Sequence, residues 1–502
     1  MPTPRGRAAC DRPRQPGKRR PMSMTRVLGF VPLAPTLALL SSLPFLQTGC
    51  APGRTPKGEV PYVRAGSLVG NAEYAIRRQH LMDEISDGIA IIPGATAPVA
   101  DNRYFQSNDF FYFTGIEAPN AWLVVNGISR RSTLFLTLDE HDAMGQGIPP
   151  ELITDPVGFS GIEEAFPFEE MDSFLATRAR EIGVFYLSHL PEELPGMNAD
   201  EVFEAYQRTV TENPFDGRLT RELQLVDRLK ERFPGVEIRD CHLAIQTKRK
   251  VKSPAEVRLV REAARIGVEA HLEFMRSTEV GMPERVLAAL FEFVSKREGA
   301  QGLAYETIIM AGGHHPWGHY QQYDRTLEDG DFIILDAGPE YAYYDADIST
   351  SFPANGRFTP EQRELYELGL GIRQVCLDNY RAGTSFGVVG EEVRTWLAEN
   401  GWDPSERRFR GLIRWGCYNH PIGMATHDVM ASMTGPDELL EAGFVFACDI
   451  NIPESETMGI RIEDTVVITQ DGFEILSAGL PRTVEEIEAL MEEKGLLQKV
   501  GR

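Results

Sequence analysis

The sequence predicts two consecutive domains, a smaller α/β domain followed by an α+β domain, and three observations support this prediction. The chain has 502 residues, too many for one ordinary hydrophobic core. In the first half, strand-like runs alternate with helical patterns. In the second half, two helical patterns come first and pairs of apolar strands follow. The predicted ranges are 1–50 for an export signal, 51–70 for a linker, 71–248 for the α/β domain, 249–490 for the α+β domain and 491–502 for a tail.

The composition is that of a globular protein, and its charge excludes one class of partner. Hydrophobic residues make up 42% of the chain and charged residues 25%. The formal net charge is −23, whereas binding to nucleic acid requires a basic surface that neutralises phosphates. We therefore expect no nucleic-acid partner.

The start of the chain has the features of an export signal. The first 26 residues contain eight Lys and Arg and one acidic residue, and an apolar run over 27–46 leads to Cys50. A positive segment, an apolar segment and small residues before a cysteine are typical of bacterial export with lipidation of that cysteine. We therefore expect an exported protein, either periplasmic or attached to the membrane through a lipidated Cys50. The alternatives are an uncleaved membrane anchor, soluble secretion, or a later true start at Met22 or Met24.

The cysteines after Cys50 are scattered and show no CxxC spacing, which argues against a zinc ribbon and against a disulfide framework. They are Cys241, Cys376, Cys417 and Cys448. Free, mostly buried thiols are the expected state.

Short apolar runs and amphipathic stretches define the elements of the first domain. The predicted strands are Ile89–Ala95, Ala121–Gly127 and Ser132–Leu138, and the predicted helices are Val202–Val210 and Leu219–Phe233. Strands that alternate with helices in this way indicate an α/β domain.

A helix start marks the beginning of the second domain. Ser253 supplies a cap hydroxyl, Pro254 takes the first helical position, and Glu256 follows three residues after the cap. Apolar residues continue at helical spacing, and a second helix is predicted over Pro283–Arg297. Strands and Gly-rich turns come after these helices.

The stretch from Ile334 to Phe352 predicts a β-hairpin. An apolar strand ends at Leu335, the residues over 338–340 supply turn chemistry, and a second strand is predicted over Tyr343–Phe352. This hairpin would place the carboxylates that follow the first strand beside those of the second.

Three aspartates are crowded into this hairpin: Asp336, Asp345 and Asp347. Two carboxylates brought close together repel each other unless a proton or a cation lies between them. Residues at alternate positions share a face, so periodicity alone does not choose between Asp345 and Asp347 as the partner of Asp336. A solvated acidic turn is the alternative interpretation of the same pattern.

Further acids and histidines follow or interrupt other apolar runs of the second domain. They are His314, His315 and His319 upstream of the hairpin, and His420, His427, Asp449, Arg461, Glu463 and Asp464 downstream of it. A lone histidine is more often structural than functional, but such a group at the ends of several strands in one domain indicates a metal or catalytic site.

In the order of these motifs, the second domain resembles the pita-bread metallopeptidases, specifically aminopeptidase P and prolidase. The matching segments are KSPAEV, HY at 319–320, DAGPEY with an aspartate eleven residues after its first residue, the two-histidine segment, and GIRIEDTVVIT. RRQHLMDEI and the segment over 102–125 are similar to the creatinase-like amino-terminal domain of the same family. The resemblance covers roughly residues 70 to 485.

The resemblance implies a site for two divalent metal ions. The implied ligands are Asp336, Asp347, His420, Asp449 and Glu463. The family pattern thereby selects Asp347 over Asp345 and leaves Asp345 as a solvated neighbour. A mostly oxygen ligand set suits Mn²⁺ and tolerates Co²⁺ or Zn²⁺.

The resemblance also implies an activity, which is removal of the N-terminal residue of a peptide that has proline second. In the family, a metal-bridging water or hydroxide attacks the scissile carbonyl. His319 and His427 match the active-site histidines, which stabilise the oxyanion or move a proton, and Arg461 would hold a carboxylate. Relatives in the family form dimers or tetramers, so a homodimer or homotetramer is expected.

Three positions depart from the family pattern. Asp449 stands where the family has a glutamate, Gly416 where it has a histidine, and Thr350 where it has a basic residue. Two alternatives therefore stay open beside an Xaa-Pro aminopeptidase. One is a prolidase acting on Xaa-Pro dipeptides, and the other is a catalytically attenuated protein that binds peptides.

Overall fold

The structure is a computed structural model that describes residues 64–98, 103–145, 147–194, 196–213, 215–429 and 433–500. The predicted export signal and Cys50 lie outside these residues. Within the described ranges, no helix is both long enough and apolar enough to cross a membrane.

A mixed six-stranded sheet forms the centre of the N-terminal half. Its strands are β1 (Ile89–Pro93), β2 (Trp122–Asn126), β3 (Arg131–Leu136), β4 (Glu164–Pro167), β5 (Val184–Leu187) and β6 (Glu237–Asp240). The order across the sheet is β4-β3-β2-β1-β5-β6. β2 pairs antiparallel with both of its neighbours, and the other pairs are parallel.

Helices and helical turns surround this sheet. They are α1 (Asn71–Glu84), α2 (Asn108–Thr114), α3 (Glu140–Gly145), α4 (Glu151–Thr154), α5 (Pro156–Ser160), α6 (Met171–Glu181), α7 (Ala199–Glu212), α8 (Arg221–Arg232) and α9 (His242–Lys250). The predicted strands and helices of this half are confirmed, with ends shifted by a few residues. The predicted boundary between 248 and 249 falls in the last turn of α9.

The C-terminal half is built on an antiparallel sheet and a smaller three-stranded sheet. The strands are β7 (Gly302–Leu303), β8 (Ile308–Met310), β9 (Phe332–Asp336), β10 (Pro339–Tyr341), β11 (Tyr344–Asp345), β12 (Ser349–Pro353), β13 (Val445–Pro453), β14 (Gly459–Ile468) and β15 (Phe473–Ile475). The larger sheet has the order β13-β14-β12-β9-β8 with β15 on β14, and the smaller one has the order β11-β10-β7.

Helices of five to 24 residues cover these sheets and enclose the main hydrophobic core. They are α10 (Pro254–Ser277), α11 (Glu284–Glu298), α12 (Pro360–Asn379), α13 (Phe386–Glu399), α14 (Arg410–Trp415), α15 (Val484–Met491) and α16 (Leu496–Val500). α12 packs on β13 and β14, and α10 packs on β10 and β11. α10 begins with the predicted capping box, in which Ser253 and Glu256 satisfy each other's backbone N–H groups. The four described cysteines are free and buried, as expected.

The predicted hairpin at the aspartates is wrong in its second strand. The chain turns at Ala342 and Tyr343, which both have positive φ, and β11 pairs with β10 in the smaller sheet. It then crosses to the larger sheet, where β12 pairs with β9. The segment over 343–352 therefore forms two short strands in different sheets, because a two-residue turn at 342–343 makes β10 the partner of β11.

Asp345 is also a correction, because it is not a solvated neighbour. It is 4% exposed and accepts a hydrogen bond from the Thr426 hydroxyl at 3.0 Å. Burial raises its pKa well above the usual range. Asp345 does not line the pocket described below, whereas Asp347 does.

Candidate active site

Strand register brings four polar side chains into one row across the larger sheet. Ser349 on β12 pairs with Asp336 on β9 and with Glu463 on β14. Glu463 in turn pairs with Asp449 on β13. Directly opposite residues share a face, so all four side chains lie on the same side of the sheet. Two further side chains lie on the same face. Asp347 is two residues before Ser349, and Arg461 is two residues before Glu463.

This face forms the floor of a cavity of about 980 Å³. All eight side chains predicted for the site line it: His319, Asp336, Asp347, His420, His427, Asp449, Arg461 and Glu463. The N-terminal half closes one side of the cavity with Gly196, Asn198 and Glu201. Both halves of the chain therefore contribute to the same pocket.

Arg461 and Tyr305 hold the carboxylates at one end of the row. The Tyr305 hydroxyl donates to Asp336 at 2.6 Å and also contacts Asp347. Arg461 donates to Asp336 through Nη1, and its Nε lies 3.4 Å from Asp449 Oδ2. Burial raises the pKa of Asp336, and it raises the pKa of Asp449 to about 7, although the positive charge of Arg461 opposes both shifts.

His420 faces the carboxylates in the middle of the pocket. Its Nδ1 donates to the Thr426 carbonyl at 2.9 Å, which leaves Nε2 on the side of Asp347 (3.2 Å) and Glu463 (3.8 Å). Burial alone would lower the pKa of His420, but its hydrogen bonds to Asp347 and Glu463 outweigh burial and raise it. Burial would raise the pKa of Asp347, but the hydrogen bonds from His420 and Tyr305 together with the nearby histidines lower this pKa. The Ser349 hydroxyl donates to Glu463 at 2.8 Å.

The donor groups in this pocket fit divalent cations. Asp347, His420 and Glu463 each offer one ligand atom, and these atoms lie within 4.8 Å of one another. Asp449 Oδ1 is buried, and no described side chain or backbone group forms a hydrogen bond with it. Four buried carboxyl groups face one arginine and one partly buried imidazole, so these carboxyl groups carry excess negative charge when all are ionised. Oxygen donors with one imidazole nitrogen match hard and borderline divalent ions.

Two more histidines lie at the edge of this group. His319 comes from the loop after β8, and burial together with the charge of Arg461 lowers its pKa. The ring of His427 lies 4.1 Å from the ring of His420, measured between centroids. Nδ1 of His427 is 3.2 Å from both carboxylate oxygens of Glu201.

Sequence reasoning missed several residues of this site. Tyr305 gave no signal in the sequence, because it follows no strand pattern. Glu201 could have been recognised as the capping-box acid of α7, but that pattern does not indicate a place in the pocket. Ser349 lies two residues after Asp347 on the same face, so the period of two could have found it. Thr465, two residues after Glu463, donates to the Asp347 carbonyl and could have been found in the same way.

Gly416 and Thr350, which also depart from the family pattern, have local explanations. Gly416 ends α14 with φ of 71°, and a Cβ there would lie 2.8 Å from Val389 Cγ1. Thr350 is buried, and its hydroxyl lies 3.0 Å from Nδ1 of the buried His271 on α10. A side chain at position 416 would therefore meet close contacts, and Thr350 has its own buried hydrogen-bond partner.

A row of buried carboxylates with an imidazole, on an antiparallel sheet in a large cavity, defines a metalloenzyme. Comparison with known proteins specifies it further. Residues 258–470 match the model of metallopeptidase family M24, and residues 74–185 match that of the aminopeptidase P N-terminal domain.

Three relatives show how far the similarity extends. The Xaa-Pro aminopeptidase of Escherichia coli (strain K12) is 31% identical over 467 residues, which cover 85% of this chain and 98% of that protein. Proline aminopeptidase P II from Yersinia pestis superposes with a TM-score of 0.67 at 29% identity, covering 84% of this chain and 99% of the other. Zinc-substituted Escherichia coli aminopeptidase P in complex with product has a TM-score of 0.67 at 29% identity, with 84% and 98% covered.

The chain belongs to the aminopeptidase P family. Its fold is the pita-bread domain preceded by the smaller amino-terminal domain, as the sequence motifs implied. It is a metal-dependent aminopeptidase, a metallo-exopeptidase that uses divalent metal ions. The alternative of a protein that only binds peptides is not favoured.

Proposed function

We propose that this enzyme hydrolyses the N-terminal Xaa-Pro bond of peptides with two divalent metal ions. The observation that carries the proposal is the convergence of five ligand-type side chains on one face of one pocket. They are Asp336, Asp347, His420, Asp449 and Glu463. The name of the Escherichia coli relative, an Xaa-Pro aminopeptidase, supports the substrate class.

The carboxylates of Asp336, Asp347, Asp449 and Glu463 and the imidazole of His420 would hold these ions. Mn²⁺ is the ion we propose, with Co²⁺ or Zn²⁺ as substitutes, because oxygen donors dominate the set. When bound, such ions polarise the scissile carbonyl and make a water acidic enough to attack it near neutral pH. Arg461 keeps Asp336 and Asp449 in position through its contacts with both carboxylates.

His319 and His427 would handle protons and the developing negative charge. Both line the pocket beside the carboxylate row, where an imidazole N–H can stabilise the oxyanion of the tetrahedral intermediate. An imidazole can also deliver a proton to the proline nitrogen as it leaves. Trp415 and Tyr418 line the same cavity and offer aromatic surface to a proline ring.

The charges of the pocket favour longer peptides over dipeptides. A prolidase has to bind the C-terminal carboxylate of a dipeptide close to the scissile bond, and an arginine or lysine binds a carboxylate most strongly. Among the described residues that line the cavity, Arg461 is the only Arg or Lys, and it already contacts Asp336 and Asp449. Glu201 and Glu306 add negative charge to the walls. A tripeptide or longer substrate carries its terminal carboxylate away from these acids.

Metal analysis and a substrate panel test this proposal. We expect the purified protein to bind about two equivalents of divalent metal, as a two-metal site requires. With added Mn²⁺, it should cleave Xaa-Pro-Yaa peptides with a higher kcat/KM than Xaa-Pro dipeptides. Less than one equivalent of metal together with no hydrolysis of any Xaa-Pro peptide would rule out the proposed activity. A preference for dipeptides would instead identify a prolidase.

A further inference from the structure

We propose that Glu201, a residue of the N-terminal half, positions the imidazole of His427 for the reaction. This inference rests on the proposed function, because it assigns His427 a step in peptide hydrolysis. Glu201 is 226 positions from His427 in sequence, yet both of its carboxylate oxygens lie 3.2 Å from His427 Nδ1.

The carboxylate of Glu201 is itself held in place. It belongs to the capping box of α7, where Glu201 Oε2 accepts from the Asn198 backbone N–H at 3.1 Å and Asn198 Oδ1 accepts from the Glu201 N–H at 2.9 Å. α7 has 14 residues, and its N-terminus favours negative charge at this position. Burial alone would raise the pKa of Glu201, but the hydrogen bond to His427, the nearby histidines and the Asn198 backbone N–H together lower it. The side chain therefore presents an ionised carboxylate in a fixed direction.

The backbone at His427 is also fixed, so the imidazole ring is the part left to be oriented. The next residue, Asp428, is fully buried and contacts Arg249 and Lys252, with 2.8 Å between Lys252 Nζ and Asp428 Oδ2. The side chain of His427 is about one-third exposed in the pocket and would otherwise be free to rotate. Its hydrogen bond to Glu201 restricts that rotation.

The contact selects one arrangement of the ring. A carboxylate only accepts, so Nδ1 of His427 carries the hydrogen and donates it to Glu201. Nε2, on the other side of the ring, is then the nitrogen that meets the substrate. The neighbouring His420 donates its Nδ1 hydrogen to a neutral carbonyl instead, that of Thr426. The two neighbouring histidines are thus oriented by different partners. His427, which is predicted to act on the substrate, has the charged partner.

A purely structural role for Glu201 predicts a different result from a positioning role. Glutamine completes a capping box as well as glutamate does, so Glu201→Gln preserves the start of α7. The substitution replaces the carboxylate at His427 by an amide, which can also donate and so permits other ring orientations. If Glu201 served only the helix, E201Q would behave like the wild type.

The test compares E201Q, H427A, the double variant and E204Q, all loaded with Mn²⁺. Glu204 is exposed on the same helix, which makes E204Q the matched control for removal of one acid from α7. We expect E201Q to lower kcat by about 10- to 100-fold with little change in KM, since a positioning partner acts in the transition state. E204Q should match the wild type.

The double variant shows whether Glu201 acts through His427. If it does, E201Q/H427A will be no slower than H427A alone, because the partner of Glu201 is already missing. Metal content and the thermal midpoint should be the same in E201Q and the wild type. Unchanged kcat in E201Q, or losses that multiply in the double variant, would overturn the inference. A wild type without Xaa-Pro hydrolysis would instead refute the proposed function.

Discussion

Asp449 replaces the glutamate that is usual in the family, and it belongs to the carboxylate row of the site. It lies opposite Glu463 in the strand register, its Oδ1 is buried without a described hydrogen-bond partner, and its nearest cation is Arg461 at 3.4 Å. An aspartate is one methylene shorter than the glutamate usual in the family. Its environment nevertheless leaves one oxygen free to bind a metal ion.

The metal-free protein should become less stable as pH rises, and Asp449 should account for part of the change. Its pKa is near 3.8 in the unfolded chain and about 7 in the folded one, because burial disfavours the charged form. Between these values the folded state retains a proton that the unfolded state has released, so folding stability falls as pH increases. Thermal unfolding in the presence of a chelator, at intervals from pH 5 to pH 8, measures this effect.

Asp449→Asn is the matched variant for that experiment. It has nearly the same size and no ionisable group, so we expect its thermal midpoint to decrease less between pH 5 and pH 8. Divalent metal should stabilise the wild type more at pH 8 than at pH 5, because ligands must lose their protons to bind. Identical pH profiles for both metal-free proteins would show that Asp449 is not the titrating group.

The strands of the larger sheet could be predicted in part from the sequence, whereas the hairpin at the aspartates could not. Arg461 and Glu463 lie two positions apart in one long strand, so spacing alone put them on one face. The hairpin failed because the turn at Ala342 and Tyr343 lacks the Gly or Asn that normally marks positive φ. The strand therefore looked continuous in sequence although its two parts belong to different sheets.

The end of α14 requires a glycine at position 416. Gly416 has φ of 71°, and an added Cβ would lie 2.8 Å from Val389 Cγ1 and 3.1 Å from the Phe386 carbonyl oxygen. Gly416→Ala should reduce the free energy of unfolding by about 1–2 kcal/mol for the left-handed backbone alone, with the close contacts adding to this. Chemical denaturation of the metal-loaded protein measures the loss.

Gly235→Ala serves as the control, because a Cβ at Gly235 meets no atom within 4 Å and its φ is not in the left-handed region. That variant should remain within about 0.5 kcal/mol of the wild type. Gly416→His, which restores the family residue, should be at least as destabilising as Gly416→Ala. A stable Gly416→His variant with raised activity would contradict this account of the position.

At the scale of the whole molecule, the site depends on contacts that no local pattern reveals. Glu201 reaches His427 across 226 positions, and Tyr305 bridges Asp336 and Asp347 from a short loop. Periodicity, capping and turn signals act over a few residues, so they cannot report such pairs. The motifs of the second domain revealed the carboxylate row, whereas the wall supplied by the first domain required the structure.

A buried ionic network joins the two halves behind this wall. Arg249 is 1% exposed and contacts Asp428, Glu193 at 2.8 Å and Asp109 at 3.1 Å. Arg249→Met would leave these carboxylates without their shared cation, which typically costs about 3–5 kcal/mol. The thermal midpoint should fall, and kcat should fall with it, because Asp428 anchors the backbone beside His427. Arg258→Met, at an exposed position of α10, should change neither. An Arg249→Met enzyme with the kcat and thermal midpoint of the wild type would show that other contacts hold the two halves together.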